Sequence, residues 1–257
     1  MNVNINGIDV NYIKEGESGS IILLIHGWGS NLELFRSMIY SLKKEHIVYA
    51  LDLPGFGKTK EPDFAWNVDN YVDFVIKFIE EMKIEKLSLL GHSFGGRIII
   101  KLANKDDLNF KLDRLVLLDS AGIKPQNNGS NTFRAKYYKF AKKIVTSRIA
   151  KKIAKNAEDN LKSKFGSEDY RNATPLMRDV LVKTVNEDLT DLLEGIKEKT
   201  LLLWGDKDEA TPLGDAKIME ERIKNSTLII VKGGTHYSFL DNPVYVNTVL
   251  LDFLKDK

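Results

Sequence analysis

The chain has no cysteine among its 257 residues, and this absence excludes several kinds of chemistry at once. Disulfide bonds, thiolate nucleophiles and metal sites with cysteine ligands all require this residue. A chain without disulfides suits a reducing compartment. Stability must then come from an apolar core, and the 43% of apolar residues in this sequence are enough for a large one.

Long apolar segments are absent as well. No apolar run approaches the ~20 residues needed to cross a bilayer, and the runs at 21–25 and 115–118 have only the length of buried strands. Residues 1–10 are polar and alternating, with no basic-then-apolar signal segment. The net charge of +2 is too small to indicate a nucleic-acid partner. We therefore expect a cytoplasmic protein without stable membrane insertion and without a nucleic-acid partner.

Short apolar runs alternate with segments of helical period along most of the chain. Continuous apolar runs of this length are typical of a parallel sheet covered on both faces. They predict an opening hairpin at 3–5 and 10–14 and buried strands at 21–25, 47–51, 87–90, 115–118, 201–204 and 228–231. Helices are predicted at 68–82, 94–103 and 243–254. The alternation indicates an α/β fold with a mostly parallel, doubly wound sheet.

The alternation breaks once, between residues 122 and 198, where no clear strand occurs. We predict a helical cap here, inserted after the sixth strand, with the α/β core formed by 1–121 and 199–257. Such a cap would lie over the carboxyl edge of the sheet, where ligands bind in open α/β folds.

One segment of the predicted cap is strongly basic. Residues 133–164 hold eleven Lys and Arg against two acids, with apolar residues at helical spacing. The basic face could contact anionic lipid peripherally or recognise an acidic substrate. The simpler interpretation is a solvated cap helix whose apolar stripe packs over the site.

A candidate nucleophile follows the predicted strand 87–90. The sequence Gly91-His92-Ser93-Phe94-Gly95 comes directly after this strand and opens a helix. A serine on so tight a strand-to-helix turn needs neighbours without side chains two residues to either side. The helix N-terminus also favours negative charge beside it. We predict Ser93 as the nucleophile and give His92, whose ring should point away from the Ser93 hydroxyl, a structural role.

A serine nucleophile needs a base, and histidine titrates near neutrality. The chain has only four histidines, so elimination is short. His46 precedes a strand at the wrong end of the sheet, and His26 lies in a glycine-rich turn. His236 follows the last strand, at the edge where Ser93 is expected, and is therefore the predicted base.

An acid must orient the base and stabilise its charge. The segment after the predicted strand 201–204 offers Asp206 and Asp208. Asp208 is preferred because it lies three residues beyond Gly205, where the loop can turn back towards His236, whereas Asp206 suits a turn. Asp119, at the end of strand 115–118, stays open as the competing acid. The order Ser93, Asp208, His236 is the one that this type of site requires.

A tetrahedral oxyanion needs two preorganised N–H donors. The N–H of Phe94, directly after the nucleophile, is one candidate. The N–H of Trp28 is the other, since Gly27 and Gly29 let the backbone approach closely, and His26 would then brace the turn. The side chains of Trp28 and Phe94 are also the predicted walls of the substrate pocket.

Together these motifs resemble the capped α/β-hydrolase superfamily over essentially the whole chain. The matching segments are His26-Gly27-Trp28-Gly29, Asp52-Leu53-Pro54-Gly55-Phe56-Gly57, the Ser93 turn, Trp204-Gly205-Asp206-Lys207-Asp208 and Gly234-Thr235-His236. The resemblance implies Ser93 as nucleophile, Asp208 as acid, His236 as base, Trp28 and Phe94 as oxyanion donors, and no cofactor. Haloalkane dehalogenases and most epoxide hydrolases of this group carry aspartate at the Ser93 position. Serine places the chain with the esterases, lipases, C–C bond hydrolases, iminopeptidases and cofactor-free perhydrolases.

The motifs do not separate the activities within this branch, since the three residues are shared. Our leading hypothesis is a carboxylic ester hydrolase that acts on a small acyl substrate through an acyl-enzyme. The alternatives are a C–C bond hydrolase of diketo ring-cleavage products, an iminopeptidase, or a ligand receptor without turnover on the same fold. The sequence leaves the acyl chain length, the leaving group and the oligomeric state open.

Overall fold

A computed structural model describes residues 1–124 and 173–255. Eight strands of these residues form one sheet in the order β1-β2-β4-β3-β5-β6-β7-β8. β1 and β2 run antiparallel to their neighbours, and the strands from β3 to β8 pair in parallel. The strands are β1 Asn2–Ile5, β2 Ile8–Glu15, β3 Ile21–Ile25, β4 Ile47–Leu51, β5 Lys86–His92, β6 Lys111–Leu118, β7 Lys199–Gly205 and β8 Ser226–Val231. The predicted α/β fold with a mostly parallel sheet is confirmed.

Helices cover both faces of the sheet. The α-helices of the described residues are α1 Arg36–Leu42, α2 Val68–Glu81, α3 Phe94–Leu102, α4 Pro175–Val185, α5 Leu213–Arg222, α6 Ser238–Asp241 and α7 Pro243–Leu254, with 3-10 turns at Leu32–Phe35 and Thr190–Gly195. The apolar residues of α2, α3 and α5 pack in one large core cluster, and those of α1 and α7 pack in a second cluster. The strand residues divide between the two clusters by alternation, as in Leu23 and Leu24 of β3. This arrangement is the predicted doubly wound sheet.

The last strand differs from the prediction of a fully buried strand at 228–231. β8 lies at the edge of the sheet, pairs only with β7 among the described strands, and leaves Ile230 43% exposed. Apolar composition alone does not distinguish an edge strand from a central one. One backbone N–H of this edge strand has a side-chain partner, because the N–H of Leu228 donates to Glu220 Oε1 at 3.2 Å.

Most of the predicted cap, including the basic segment 133–164, lies outside the described residues. The described part of 122–198 contains α4 and a 3-10 turn and no strand. α4 begins with an N-cap bond, in which the Thr174 side chain accepts from the N–H of Met177, and with Pro175 in its first turn. The boundaries of the cap stay a prediction. Within 1–124 and 173–255, no helix has the length and apolar character to span a membrane.

Candidate active site

Ser93 lies between the end of β5 and the start of α3, in a strained backbone conformation. Its φ and ψ are 50° and −109°, outside the regions that non-glycine residues usually adopt. The surroundings leave little space for another arrangement, since a Cβ on Gly95 would lie 2.1 Å from the carbonyl oxygen of Ile25. The N–H of Ser93 also donates to the carbonyl oxygen of Leu118 at 3.1 Å. Strain of this kind costs about 1–3 kcal/mol and persists where the fold enforces it.

The imidazole of His236 joins Ser93 to Asp208. Nε2 of His236 lies 3.0 Å from Ser93 Oγ, and Nδ1 lies 2.8 Å from Asp208 Oδ2. Because the carboxylate accepts, Nδ1 carries the proton and Nε2 is free to accept from the serine hydroxyl. The structure therefore brings together the three residues that the sequence selected from the ends of β5, β7 and β8.

Asp208 is held as a carboxylate by its hydrogen bonds. Its Oδ1 accepts from the N–H groups of Ala210 and Thr211, each at 2.8 Å, and its Oδ2 accepts from the Thr211 hydroxyl at 2.6 Å. Burial raises the pKa of Asp208, but the hydrogen bond and charge of His236 and the bonds from Thr211 outweigh it and hold the pKa below its ordinary value. Sequence reasoning missed Thr211. The spacing Asp208-x-x-Thr211, typical of a turn closed by an aspartate side chain, could have indicated it.

The competing acid, Asp119, is occupied by other donors. It is fully buried at the end of β6, where Oδ1 accepts from the N–H of Gly205 at 2.8 Å. Its Oδ2 accepts from the hydroxyl of Ser238 at 2.6 Å and from the N–H of the same residue at 3.2 Å. Asp119 thus links the loops that carry Asp208 and His236, and the acceptor of the His236 Nδ1–H is Asp208 instead.

Asp119 should make stability depend on pH. Burial raises its pKa from 3.8 to about 6, against the opposing effect of the donors from Ser238 and Gly205; the charge of Asp208 raises it further and that of His236 lowers it. The folded chain then binds more protons than the unfolded chain between about pH 4 and pH 6, so this group's contribution to the free energy of unfolding falls as pH rises. The shift corresponds to on the order of 3 kcal/mol.

We therefore expect the stability of Asp119→Asn, relative to the unsubstituted protein, to improve as pH rises from 4 to 6 and to level off above pH 7. Urea unfolding at a series of pH values measures this difference. A difference that stays constant with pH would contradict the assignment.

The backbone N–H groups of Trp28 and Phe94, the predicted oxyanion donors, have no hydrogen-bond partner in the described part of the chain. The turn that carries Trp28 packs closely on the serine, since a Cβ on Gly27 would lie 3.1 Å from Ser93 Cβ. The two N–H groups that the sequence predicts as oxyanion donors thus have no acceptor within the described ranges.

His26 fixes the turn that carries Trp28. Its Nδ1–H donates to the carbonyl oxygen of Gly27 at 2.7 Å, and its Nε2 accepts from the N–H of Leu53 at 3.0 Å. Burial lowers the pKa of His26 to about 4, against smaller opposing effects of the Gly27 bond and the charge of Asp52. The ring is thus neutral at pH 7 and braces the turn.

Apolar side chains surround Trp28. Its ring lies 5.7 Å from that of Phe94 and 4.9 Å from that of Phe56, centroid to centroid. Leu181 and Val182 of α4 pack against the same indole. Sequence reasoning did not single out these two residues, because contacts between α4 and the turn after β3 depend on tertiary packing. The result is an apolar cluster around Trp28 that includes Phe94, the residue directly after Ser93.

The other histidines and aspartates considered from the sequence, His46, Asp206 and His92, make no hydrogen bond with the hydroxyl of Ser93 among the described residues. His46 contacts the hydroxyl of Ser20 through Nδ1 at 2.9 Å, at the opposite end of β4. Asp206 is exposed and accepts from the N–H of Gly233 at 2.7 Å. His92 contacts the backbone oxygen of His236 at 2.8 Å, whereas the hydroxyl of Ser93 contacts His236 Nε2. Within the described ranges, no cluster of three or more His, Asp or Glu side chains could hold a metal ion.

Comparison with known proteins identifies similar chains. A sequence model described as alpha/beta hydrolase fold matches residues 20–243. The AB hydrolase superfamily protein YisY of Bacillus subtilis is 25% identical over 260 residues, which cover 94% of each chain. The 2-hydroxy-6-oxo-6-(2'-aminophenyl)hexa-2,4-dienoic acid hydrolase of Metapseudomonas resinovorans is 33% identical over 127 residues, 47% of this chain and 42% of that one. The esterase structure from Exiguobacterium antarcticum superposes with a TM-score of 0.75 at 23% identity, over 98% of this chain and 97% of its own.

Proposed function

Since the chain belongs to the α/β hydrolase fold family, and so to a family of hydrolases, we propose that it cleaves carboxylic esters through an acyl-enzyme formed on Ser93. One observation carries this proposal. It is the pair of hydrogen bonds that the imidazole of His236 makes, with Ser93 Oγ at Nε2 (3.0 Å) and with Asp208 Oδ2 at Nδ1 (2.8 Å). A nucleophile, a base and an orienting acid in this geometry are the parts that serine acyl transfer requires.

In the proposed reaction, Ser93 Oγ attacks the ester carbonyl carbon while its proton passes to His236 Nε2. The carbonyl electron pair moves to oxygen, and Asp208 stabilises the imidazolium. Collapse of this tetrahedral intermediate expels the alkoxide, which takes the proton from His236 and leaves as the alcohol. Water then attacks the acyl-enzyme with His236 again as base, which releases the carboxylic acid and restores Ser93.

The oxyanion of the intermediate would bind to the N–H groups of Trp28 and Phe94. Both groups lack protein partners in the described residues, and the N-terminus of α3 adds a favourable potential. Removing one such donor costs on the order of 3 kcal/mol of transition-state stabilisation in other serine hydrolases. The placement of the Trp28 turn against Ser93 should therefore be sensitive to small steric changes.

Gly27→Ala tests that placement. A Cβ there would lie 2.8 Å from His92 Nδ1 and 3.1 Å from Ser93 Cβ, so the turn must shift. We expect kcat to fall about 10- to 100-fold, because a displacement of an ångström can cost two orders of magnitude. Gly214→Ala is the matched control, since nothing lies within 4 Å of the added Cβ. Equal kcat values for the two variants would count against Trp28 as a donor.

The substrate that we propose has an apolar acyl group. The wall of its pocket would be formed by Trp28, Phe94, Leu181 and Val182, since Trp28 packs against Phe94, the residue after Ser93, and against the two residues of α4. We also propose that residues 122–198 form the cap that closes the pocket, with α4 as its described part. An acyl chain against this surface would be desolvated as it lengthens, by about 0.8 kcal/mol for each buried methylene.

A series of p-nitrophenyl esters from acetate to palmitate tests the proposal. We expect kcat/KM to rise about three- to fourfold per added methylene until the pocket is filled, and then to fall. The chain length at the maximum measures the pocket. No turnover of any ester by the folded protein would overturn the ester-hydrolase proposal.

A C–C bond hydrolase is the second candidate. The observation in its favour is the 33% identity, over 127 residues, to the hydrolase of 2-hydroxy-6-oxo-6-(2'-aminophenyl)hexa-2,4-dienoic acid. The same three residues would serve this reaction. Cleavage of a diketo ring-cleavage product with a kcat/KM far above that of any ester would favour it. Binding of a ligand without turnover of either substrate class would favour a receptor.

A further inference from the structure

His92 connects the two segments that carry Ser93 and His236. It directly precedes Ser93 and is 1% exposed. Its Nε2 lies 2.8 Å from the carbonyl oxygen of His236, a residue 144 positions away in sequence. A carbonyl oxygen only accepts hydrogen bonds, so Nε2 of His92 must carry a proton. In the neutral ring, Nδ1 is then unprotonated. The bond therefore joins the turn after β5 to the loop after β8 with a defined donor.

The ring of His92 packs between the segment that follows β8 and the turn that carries Trp28. Its centroid lies 4.9 Å from that of His236, 5.3 Å from that of Tyr237 and 5.1 Å from that of Phe239. On the other side a Cβ on Gly27 would lie 2.8 Å from Nδ1, so the turn that carries Trp28 also packs against it. Nδ1 has no hydrogen-bond partner among the described residues. The one polar contact of this side chain in the described structure is thus the bond to His236.

His92 also remains neutral beside a base that gains a proton. Burial lowers the pKa of His92 to about 3, and the charge of His236 lowers it further, against the opposing effects of the bond to the His236 carbonyl and the charge of Asp208. A neutral donor keeps the His236 backbone in place without repelling an imidazolium. An ammonium or guanidinium at this position would disfavour the protonated form of His236.

We propose that His92 is a positioning residue, which sets the distance between His236 Nε2 and Ser93 Oγ by holding the His236 carbonyl with its Nε2–H. The proposal rests on the proposed function of Ser93 and His236. Asp208 orients the imidazole ring from one side, whereas His92 fixes the backbone from which that ring extends.

His92→Gln and His92→Met form the test pair. Their side chains have similar length, but only the glutamine amide can donate to the His236 carbonyl. We expect His92→Met to lower both kcat for p-nitrophenyl esters and the rate of Ser93 labelling by a fluorophosphonate about 10- to 100-fold, with KM changed less than threefold. His92→Gln should recover most of this loss. Comparable melting temperatures for the two variants would show that the difference is not one of folding.

A second measurement requires no activity. NMR of the protein with 15N-labelled histidine reports how fast the Nδ1 proton of His236 exchanges with water. We expect faster exchange in His92→Met than in His92→Gln, because the His236 loop has lost its tether. Equal exchange rates in the two variants, or equal kcat losses, would overturn the role of His92. A wild-type protein that neither labels nor hydrolyses esters would overturn the proposed function, and the exchange rates would still decide whether His92 tethers the His236 loop.

Discussion

Replacing Ser93 with alanine is expected to lower kcat for ester hydrolysis about 10⁴- to 10⁶-fold, while the melting temperature changes little. The reason is that the covalent path requires the Ser93 oxygen, which lies 3.0 Å from the base and at the N-terminus of α3. The bond from Ser93 N to Leu118 O is made by the backbone and survives the substitution. Hydrolysis of a p-nitrophenyl ester measures kcat, and a thermal unfolding curve measures the melting temperature.

Two comparisons make this result specific. Ser18→Ala removes the hydroxyl of an exposed serine and should leave kcat unchanged. The Ser93→Ala variant should still bind substrate, because the N–H groups of Trp28 and Phe94 and the apolar wall are intact. A Ser93→Ala variant that retains more than a tenth of the activity would exclude an acyl-enzyme on Ser93.

The sequence predicts most of the central sheet, because the strands there are continuous apolar runs and few other structures bury such runs on both faces. β3 is a run of five apolar residues, IILLI, with one residue of intermediate exposure and four buried, and it is recognised at once. β8 carries a similar run, at 228–231, but its position at the edge depends on which strands pair, and sequence does not contain that information locally.

The geometry of the site follows partly from sequence for a related reason. Parallel strands place their carboxyl ends on one edge, so residues just after β5, β7 and β8 are expected together. Ser93, Asp208 and His236 stand at these three positions. Residues that act across loops are harder to predict. The linking role of Asp119 depends on contacts with Gly205 and Ser238, which lie 86 and 119 residues away in sequence, whereas the bonds from Thr211 to Asp208 span only three residues.

Contacts of α4 were the least predictable. Leu181 and Val182 reach Trp28 because α4 packs against the turn that follows β3. Helical periodicity indicates which face of α4 is apolar but not what that face covers. His92 is a similar case. A histidine before the nucleophile is visible in the sequence, whereas its bond to the His236 carbonyl requires the two loops to be in place.

The choice between the two buried aspartates leads to the second large prediction. Asp208→Asn should lower kcat on the order of 10⁴-fold, because an amide at this position stabilises the wrong tautomer of His236 and does not stabilise the imidazolium. Asp119→Asn should lower kcat less than about tenfold. The two residues are both buried, so a difference in kcat between the two variants would not come from a difference in burial.

The physical basis of this difference is the set of donors around each carboxylate. One carboxylate oxygen of Asp208, Oδ2, accepts from His236 Nδ1 at 2.8 Å. Burial raises the pKa of Asp208, but this bond and the donors from Thr211 hold the pKa below its ordinary value, so the group is ionised. The donors to Asp119 are Ser238 and the N–H of Gly205, and burial raises its pKa to about 6. Asp119 thus connects the two loops through its hydrogen bonds to Gly205 and Ser238, whereas Asp208 acts on the base. Measurement of kcat and of the melting temperature for both variants at pH 7.5 separates these roles, and a loss of activity for Asp119→Asn equal to that for Asp208→Asn, at matched stability, would assign the acid to Asp119.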